Sequence, residues 1–162
     1  MAEKKAVATY DTVLKDLKAR NFAPIYILMG DESFFIDRLS DFIADNVLPP
    51  EERDFNQTVV FGSDVTPAQV VDMARQYPVM PAQYNVIIVK EAQNLKSLEA
   101  LERYLEKPVK STVLVICHKN GTIDRRKKFL PRAEKAGVVF ESKKLYDRQL
   151  PGFIETYLKT RK

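Results

Sequence analysis

The chain has 162 residues, of which 45% are hydrophobic and 30% charged, with 26 Lys and Arg against 22 Asp and Glu. These proportions are typical of one folded globular domain and exclude intrinsic disorder, while the net charge of +4 permits a nucleic-acid contact without requiring one. Cys117 is the only cysteine and His118 the only histidine, which excludes an intramolecular disulfide and any zinc site built from several Cys and His ligands.

Five short apolar runs rich in β-branched residues recur along the chain. They cover residues 25–29, 58–61, 86–89, 113–116 and 138–140. Because the runs are nearly continuous rather than alternating, each is typical of a strand covered on both faces. Their starts lie 25 to 33 residues apart, which is the length of one strand, a crossover helix and the return.

Stretches with helical spacing precede the first strand and separate the others. Their apolar stripes are Tyr10, Val13, Leu14 and Leu17; Phe35, Leu39, Phe42 and Ile43; Val70, Val71, Met73 and Ala74 after the cap-like Thr66-Pro67; and Leu98, Leu101 and Leu105. Each stripe would place one apolar face of a helix against the sheet. The pattern predicts an α/β fold with an open parallel five-stranded sheet and helices on both faces.

The loop after the first predicted strand is where a parallel α/β fold would hold a ligand. A phosphate-binding loop, Gly-x-x-x-x-Gly-Lys-Ser/Thr, needs backbone amides around the phosphates and a lysine to neutralise them. Residues 29–36 read Met-Gly-Asp-Glu-Ser-Phe-Phe-Ile, with one glycine, two carboxylates and no lysine. Carboxylates there would repel a triphosphate, so we interpret Asp31 or Ser33 as a helix N-cap and Glu32 as a favourable partner of the helix dipole.

Two other strand ends carry groups of the kind used in catalysis. The third strand ends in Val-Lys-Glu-Ala-Gln at residues 89–93, which is similar to a Walker B strand except that Lys90 occupies the metal-binding aspartate position. We interpret Glu91 as a solvated strand-end residue. Cys117 and His118 end the fourth strand, and adjacent strand residues point to opposite faces, so we do not expect them to form a catalytic pair.

The densest basic segment spans residues 119–135 and begins with an Asn-Gly turn signal at residues 120–121. Its seven basic residues are Lys119, Arg125, Arg126, Lys127, Lys128, Arg132 and Lys135. The four at positions 125–128 are a candidate contact for DNA phosphates or for an acidic partner, because each neutralised phosphate adds salt-dependent affinity. A solvated helix face, offset by Asp124 and Glu134, is the competing interpretation.

Residues 76–85 form the most unusual predicted surface segment, with the sequence Gln-Tyr-Pro-Val-Met-Pro-Ala-Gln-Tyr-Asn. Pro78 and Pro81 enclose Val79 and Met80 between a helix and the third strand. Prolines stiffen the segment and prevent regular strand pairing. A rigid loop that presents hydrophobic side chains loses little conformational entropy when a protein partner binds. A docking loop and a loop tucked back onto the helix both fit this pattern.

Residues 24–36, 77–82 and 86–92, in this order, closely resemble the N-terminal domain of the delta subunits of bacterial DNA polymerase III clamp loaders, and the similarity extends to about residue 158. The resemblance implies an AAA+ or P-loop NTPase-like fold without a functional phosphate-binding loop, no cofactor, and no active site of its own within the polymerase complex. Family members continue into a lid domain and a collar domain. We therefore expect residues 1–145 to form the clamp-binding AAA+-like domain and residues 146–162, whose apolar stripe predicts a helix, to begin the lid.

The resemblance also implies partners and site residues. In this family the domain binds the ring-shaped sliding clamp, the beta subunit, and opens one interface of the ring for loading onto primed DNA. The family's clamp-binding element is a hydrophobic pair before the third strand, which falls on Val79 and Met80, with Tyr77, Pro78 and Pro81 beside it. The family pair is Leu-Phe, so the main anchor stays open. The other implied partners are the gamma or tau and delta-prime subunits, with primed DNA reached through the assembled complex.

Two other classes of function stay open from the residues alone. One is a small nucleotide hydrolase without a P-loop, which would use Asp31, Glu32 and Glu91 with a metal ion. The other is a DNA-binding module that uses residues 125–135. No apolar run approaches the ~18 residues of a membrane helix, and no signal-type region opens the chain, so we expect a cytoplasmic protein without a membrane partner.

Overall fold

The computed structural model describes residues 8–124 and 127–143. Helices and strands alternate along these residues except that two helices separate the first two strands, and short 3-10 turns occur at Gly62–Asp64, Ala92–Asn94 and Leu98–Leu101. The elements are α1 (Tyr10–Lys18), β1 (Ile25–Gly30), α2 (Ser33–Asn46), α3 (Pro50–Asn56), β2 (Gln57–Phe61), α4 (Pro67–Ala74), β3 (Asn85–Lys90), α5 (Glu102–Glu106), β4 (Thr112–Lys119), α6 (Phe129–Ala136) and β5 (Val138–Ser142).

The five strands form one parallel sheet in the order β2-β3-β4-β1-β5. All five predicted strands are present, so the predicted open parallel sheet is confirmed. Because the strands are parallel, Gly30, Lys90, Lys119 and Ser142 finish their strands at one end of the sheet, here called the carboxyl end. The opposite end, where the strands begin, is called the amino end.

Strand side chains alternate between two apolar layers, which is why continuous apolar runs are needed. In β1, Ile25, Ile27 and Met29 face the layer formed by α4, α5, α6 and the Leu98–Leu101 turn, whereas Tyr26 and Leu28 face α1 and α2. Both layers consist of buried residues. The prediction of helices on both faces is therefore confirmed.

Two helical features differ from the sequence prediction. Helix α3 was not predicted, and it connects α2 directly to β2. The stripe of Leu98, Leu101 and Leu105 does not belong to one helix, because a 3-10 turn covers Leu98–Leu101 and α5 begins at Glu102. By contrast, Thr66 caps α4 through Gln69, with Pro67 in the first turn, as predicted.

Some predictions fall on residues outside the described ranges. These are the helix expected within residues 146–162 and the basic residues Arg125 and Arg126. Among the described residues, every helix is too short or too polar to cross a lipid bilayer.

Candidate protein-docking site

At the carboxyl end, the loop from β1 to α2 is tied to β5 by its own backbone. The N–H of Asp31 donates to the Ser142 carbonyl at 3.3 Å, and the N–H of Glu32 donates to Ser142 Oγ at 3.2 Å. Ser142 Oγ in turn donates to the Glu32 carbonyl at 2.7 Å. Gly30 has a φ of +130°, and a Cβ there would lie 2.0 Å from the Ser142 carbonyl oxygen. In a phosphate-binding loop, backbone amides at this place point toward the phosphates. Here the amides of Asp31 and Glu32 are hydrogen-bonded to β5 instead.

The first turn of α2 is capped by a carboxylate of the same loop. Glu32 is the N-cap residue, and its Oε1 accepts a hydrogen bond from the Phe34 N–H at 3.2 Å. The prediction of Asp31 or Ser33 as the N-cap was wrong. The helix N-terminus thus already has a negative partner, which opposes the approach of a phosphate.

The ends of β3 and β4 are joined by a chain of polar contacts. Gln93 Nε2 donates to Glu91 Oε2 at 2.7 Å, while Gln93 Oε1 accepts the Lys119 N–H at 3.0 Å. Lys119 Nζ lies 2.8 Å from Asp37 Oδ1. Burial lowers the pKa of Lys119, but the hydrogen bond and charge of Asp37 outweigh burial and raise it above its usual value. Glu91 is therefore engaged with its neighbours, and the described residues include no cluster of three His, Cys, Asp or Glu with metal-site geometry.

Cys117 and His118 are separated by the sheet, as predicted. Cys117 is 2% exposed in the layer beside α2, where burial raises the pKa of its thiol to about 11. His118 lines a small cavity with Gln93 and Thr122. The thiol and the imidazole are not placed for joint catalysis.

The described part of the basic segment is partly neutralised by acids. Lys127 Nζ lies 3.6 Å from Glu99 Oε1, and Arg132 Nε lies 2.8 Å from Glu102 Oε1. Arg132 also contacts the carboxylate of Glu106. These carboxylates lower the positive potential that would attract DNA phosphates.

A groove of about 760 Å³ runs between α5 and α6 beside this segment. Lys128, Arg132 and Lys135 line it together with Pro108 and Pro131. Lys127 and Lys128 are exposed, so they are accessible to a partner. Their role as a contact for DNA or for an acidic partner stays a prediction.

At the amino end, the loop between α4 and β3 presents hydrophobic side chains to solvent. Tyr77 is 77% exposed, Val79 56% and Met80 84%. Pro81 is exposed and Pro78 half-buried. Of the two structures that fit the sequence pattern, the exposed loop is therefore the one adopted, and the predicted site residues are brought together on it.

The tip of this loop has a fixed backbone. The Ala82 N–H donates to the Val79 carbonyl at 3.0 Å across a turn centred on Met80 and Pro81, whose peptide bond is cis. The Val79 N–H donates to Asn56 Oδ1 at 2.6 Å. Ala82 is buried, so the tip is held from below while Met80 projects from the turn.

The start of the loop is anchored by a buried asparagine at the beginning of β3. Asn85 Nδ2 donates to the carbonyls of Met73 at 2.9 Å and Gln76 at 3.0 Å, which satisfies backbone groups at the end of α4. Thr112 Oγ1 in β4 donates to the Ala74 carbonyl at 2.5 Å. The loop therefore leaves a helix end whose carbonyls are bonded to the sheet.

One exposed residue next to the loop was missed from the sequence. Phe55 in α3 is 79% exposed, and it directly precedes Asn56, which binds the loop. Its only signal was an isolated aromatic residue after a run of charged residues. The described residues expose six large hydrophobic side chains, all within α3, β2 and this loop: Phe55, Val59, Phe61, Tyr77, Val79 and Met80.

Comparisons with known proteins agree on one family. The sequence model described as "DNA polymerase III, delta subunit" matches residues 26–143. The DNA polymerase III subunit delta of Bacillus subtilis (strain 168) is 27% identical over 158 residues, which cover 91% of this chain and 45% of that protein. The solved structure of the Bacillus subtilis DNA clamp loader delta protein matches with a TM-score of 0.82 at 26% identity, covering 94% of this chain and 48% of that chain.

These coverages mean that the chain spans about half the length of the relatives it matches. A DNA polymerase III gamma subunit-related protein from Thermotoga maritima matches with a TM-score of 0.51 at 15% identity, over 92% of this chain and 50% of that chain. At that identity the likeness concerns the fold alone, and it agrees with the AAA+-like fold expected from the sequence.

Proposed function

Because the chain belongs to the family of DNA polymerase III delta subunits, we propose that it binds the sliding clamp and opens the ring for loading onto primed DNA. The observation that carries this proposal is the loop at the amino end. Val79 and Met80 are exposed on a backbone fixed by Asn56 and Asn85. A fixed loop with exposed hydrophobic side chains suits a pre-formed groove on a protein partner, because little conformational freedom is lost on docking.

The two central side chains would supply only part of the binding free energy. Full burial of Val79 and Met80 contributes roughly 1.5–3 kcal/mol each, whereas nanomolar affinity corresponds to about 12 kcal/mol. Tyr77, Pro78 and Pro81 are the flanking residues that we propose to contact the clamp as well. Tyr77 is the most substantial of these, because aromatic side chains dominate protein interfaces.

The hydrogen bonds of the β1–α2 loop at the carboxyl end support the proposal that this chain does not itself hydrolyse nucleotide. The amides of Asp31 and Glu32 are bonded to Ser142, and the Glu32 carboxylate caps α2. We therefore assign ATP hydrolysis to partner subunits of the gamma or tau type, which would act with delta-prime in the assembled loader. The chain would act in the cytoplasm, as the AAA+-like domain at residues 1–145 followed by the start of a lid at 146–162.

Calorimetry with the cognate sliding clamp tests the docking site. The parent chain is compared with a Val79→Ser/Met80→Ser variant and with a Val59→Ser/Phe61→Ser control, whose side chains are 44% and 47% exposed on β2. We expect the loop variant to weaken binding about 100-fold, which corresponds to about 2.7 kcal/mol, and the control to bind like the parent. Equal affinities of parent and loop variant would contradict the site, and no binding by the parent would contradict clamp binding itself.

Ring opening is tested separately with a clamp that carries a donor and an acceptor dye across one subunit interface. We expect energy transfer to fall when the parent chain binds and to stay unchanged with the loop variant. Saturated binding without any change in transfer would show docking without opening.

A further inference from the structure

The docking loop is not an isolated protrusion, because α3 lies against it. Asn56, the last residue of α3, is buried, and its Oδ1 accepts the Val79 N–H at 2.6 Å. Its Nδ2 donates to the Glu52 carbonyl one turn earlier at 3.0 Å. A single side chain therefore bonds to both the helix and the tip of the loop.

A small groove between α3 and the loop also shows that the two are neighbours. This groove of about 210 Å³ is lined on one side by Pro49 and Glu52 of the α3 region and on the other by Pro81, Gln83 and Tyr84. Residues three or four apart share a helix face, so Phe55 and Asn56 both lie close to the face of Glu52. Phe55 is thus at the corner where α3 meets the loop.

Phe55 differs from the rest of its helix. The helix sequence is Pro-Glu-Glu-Arg-Asp-Phe-Asn, so its exposed phenyl ring stands among charged side chains. An aromatic ring exposed to this degree contributes little to the stability of the chain, while aromatic residues are enriched in the buried centres of interfaces.

We propose that Phe55 is a second docking anchor for the partner bound by Val79 and Met80, and that Asn56 is the positioning residue that holds the two parts of the surface together. This inference rests on the proposed function, and the partner is the same sliding clamp. The docking surface then comprises Phe55, Tyr77, Val79 and Met80, presented by a short helix and a loop that share one buried asparagine.

The chain offers a matched control for Phe55. Phe61 is also an exposed phenylalanine, but it ends β2, roughly 13 Å along the strand from Gln57, which follows α3 directly. Phe55→Ser and Phe61→Ser therefore remove the same side chain from positions near opposite ends of β2, and because both replace exposed residues we expect the fold to be retained.

Clamp binding by calorimetry separates this inference from the proposed function. We expect Phe55→Ser to weaken binding about tenfold, Phe61→Ser to bind like the parent, and Met80→Ser to weaken binding more than Phe55→Ser. Parent-like binding by Phe55→Ser together with weak binding by Met80→Ser would overturn the second anchor and leave the docking loop in place. Parent-like binding by the Val79→Ser/Met80→Ser variant would overturn the loop, and equal losses with Phe55→Ser and Phe61→Ser would overturn the specific role of Phe55.

Two substitutions at Asn56 test its positioning role. Asn56→Ala removes the acceptor for the Val79 N–H, whereas Asn56→Asp keeps an acceptor there, and both lose the bond to Glu52. We expect Asn56→Ala to weaken clamp binding several-fold and Asn56→Asp to restore most of it, with thermal unfolding followed in parallel. Equal weakening by both variants would overturn the positioning role.

Discussion

The two ends of the sheet use their exposed loops in opposite ways. At the carboxyl end, Glu32, Ser142, Lys119 and Asp37 bond to one another or to nearby backbone. At the amino end, the buried polar groups fix the backbone, and the hydrophobic side chains face solvent. The amides of the β1–α2 loop are hydrogen-bonded within the chain, whereas the loop before β3 leaves hydrophobic side chains exposed.

This difference supports the proposal that the chain serves for protein contact rather than for nucleotide binding. A nucleotide site needs free backbone amides and open space at the end of β1. Here the amides of Asp31 and Glu32 donate to Ser142 of β5, and Ser142 also fills the space that a Cβ at Gly30 would need. A docking site needs exposed apolar surface on a rigid support, and the loop before β3 provides both. The predictions below test each half of this contrast.

The largest expected effect is on stability at the carboxyl end. Gly30→Ala would place a Cβ 2.0 Å from the Ser142 carbonyl oxygen at a φ of +130°. We expect a loss of about 3 kcal/mol or more in the free energy of unfolding, because backbone must move. Urea unfolding measures this loss, and a stability equal to the parent's would show that the end of β1 is not packed closely against β5.

The next effect concerns Cys117, also near the carboxyl end. Its thiol binds a proton more strongly when folded, so its contribution to stability is complete below its ordinary pKa of 9.0 and is lost as pH rises through about 11. The difference corresponds to roughly 2–3 kcal/mol. Burial also raises the pKa of Tyr26 and Tyr104, which adds to the alkaline loss.

The measurement is urea unfolding of the parent and of Cys117→Ala at a series of pH values. We expect the parent's stability to fall more steeply than the variant's on the alkaline side. Parallel curves would indicate a solvent-accessible thiol rather than a buried packing residue.

At the amino end, Asn85→Ala would leave the carbonyls of Met73 and Gln76 without their side-chain donor. We expect a loss of about 1–3 kcal/mol in unfolding free energy and a weaker affinity for the sliding clamp, because the start of the loop is no longer held. Urea unfolding and calorimetry on the same protein measure the two effects. Reduced stability with parent-like affinity would show that Asn85 stabilises the end of α4 without contributing to the docking site.

The smallest expected effect is that of nucleotide on the thermal unfolding midpoint. Binding at 100 times the dissociation constant would stabilise the chain by about 2.7 kcal/mol. With millimolar Mg²⁺–ATP we expect no change, because Asp31 and Glu32 use their amides within the fold. A raised midpoint would favour the alternative of a nucleotide hydrolase and contradict the contrast between the two ends.

The strands and the sheet could be predicted because their signal is local. The apolar runs of β1, β3 and β4 are buried on both faces, and a short continuous run of β-branched residues is typical of a strand in a covered parallel sheet. The run in β2 was wrongly expected to be covered on both faces, because β2 lies at the edge of the sheet and exposes Val59 and Phe61. Helix α3 was not predicted because it begins at Pro50 and consists mainly of charged residues, so its sequence has no apolar stripe. The stripe from Leu98 to Leu105 was misleading because residues three apart share a face in a 3-10 turn as well.

The docking loop could be predicted in part. Its prolines and hydrophobic residues were visible in the sequence, but its rigidity depends on contacts between distant residues. The bond between Asn56 and the Val79 N–H spans 23 positions, and no spacing rule indicates it. Phe55 was missed for the same reason, since contacts between distant residues, such as this bond, place α3 beside the loop.

Hydrogen–deuterium exchange of the chain with and without the sliding clamp tests the central claim most directly, because it reads both ends of the sheet at once. We predict that the clamp slows exchange in residues 53–57 and 77–84 and leaves residues 30–34 and 90–94 unchanged. Protection at the carboxyl end, with the loop before β3 unaffected, would contradict the account.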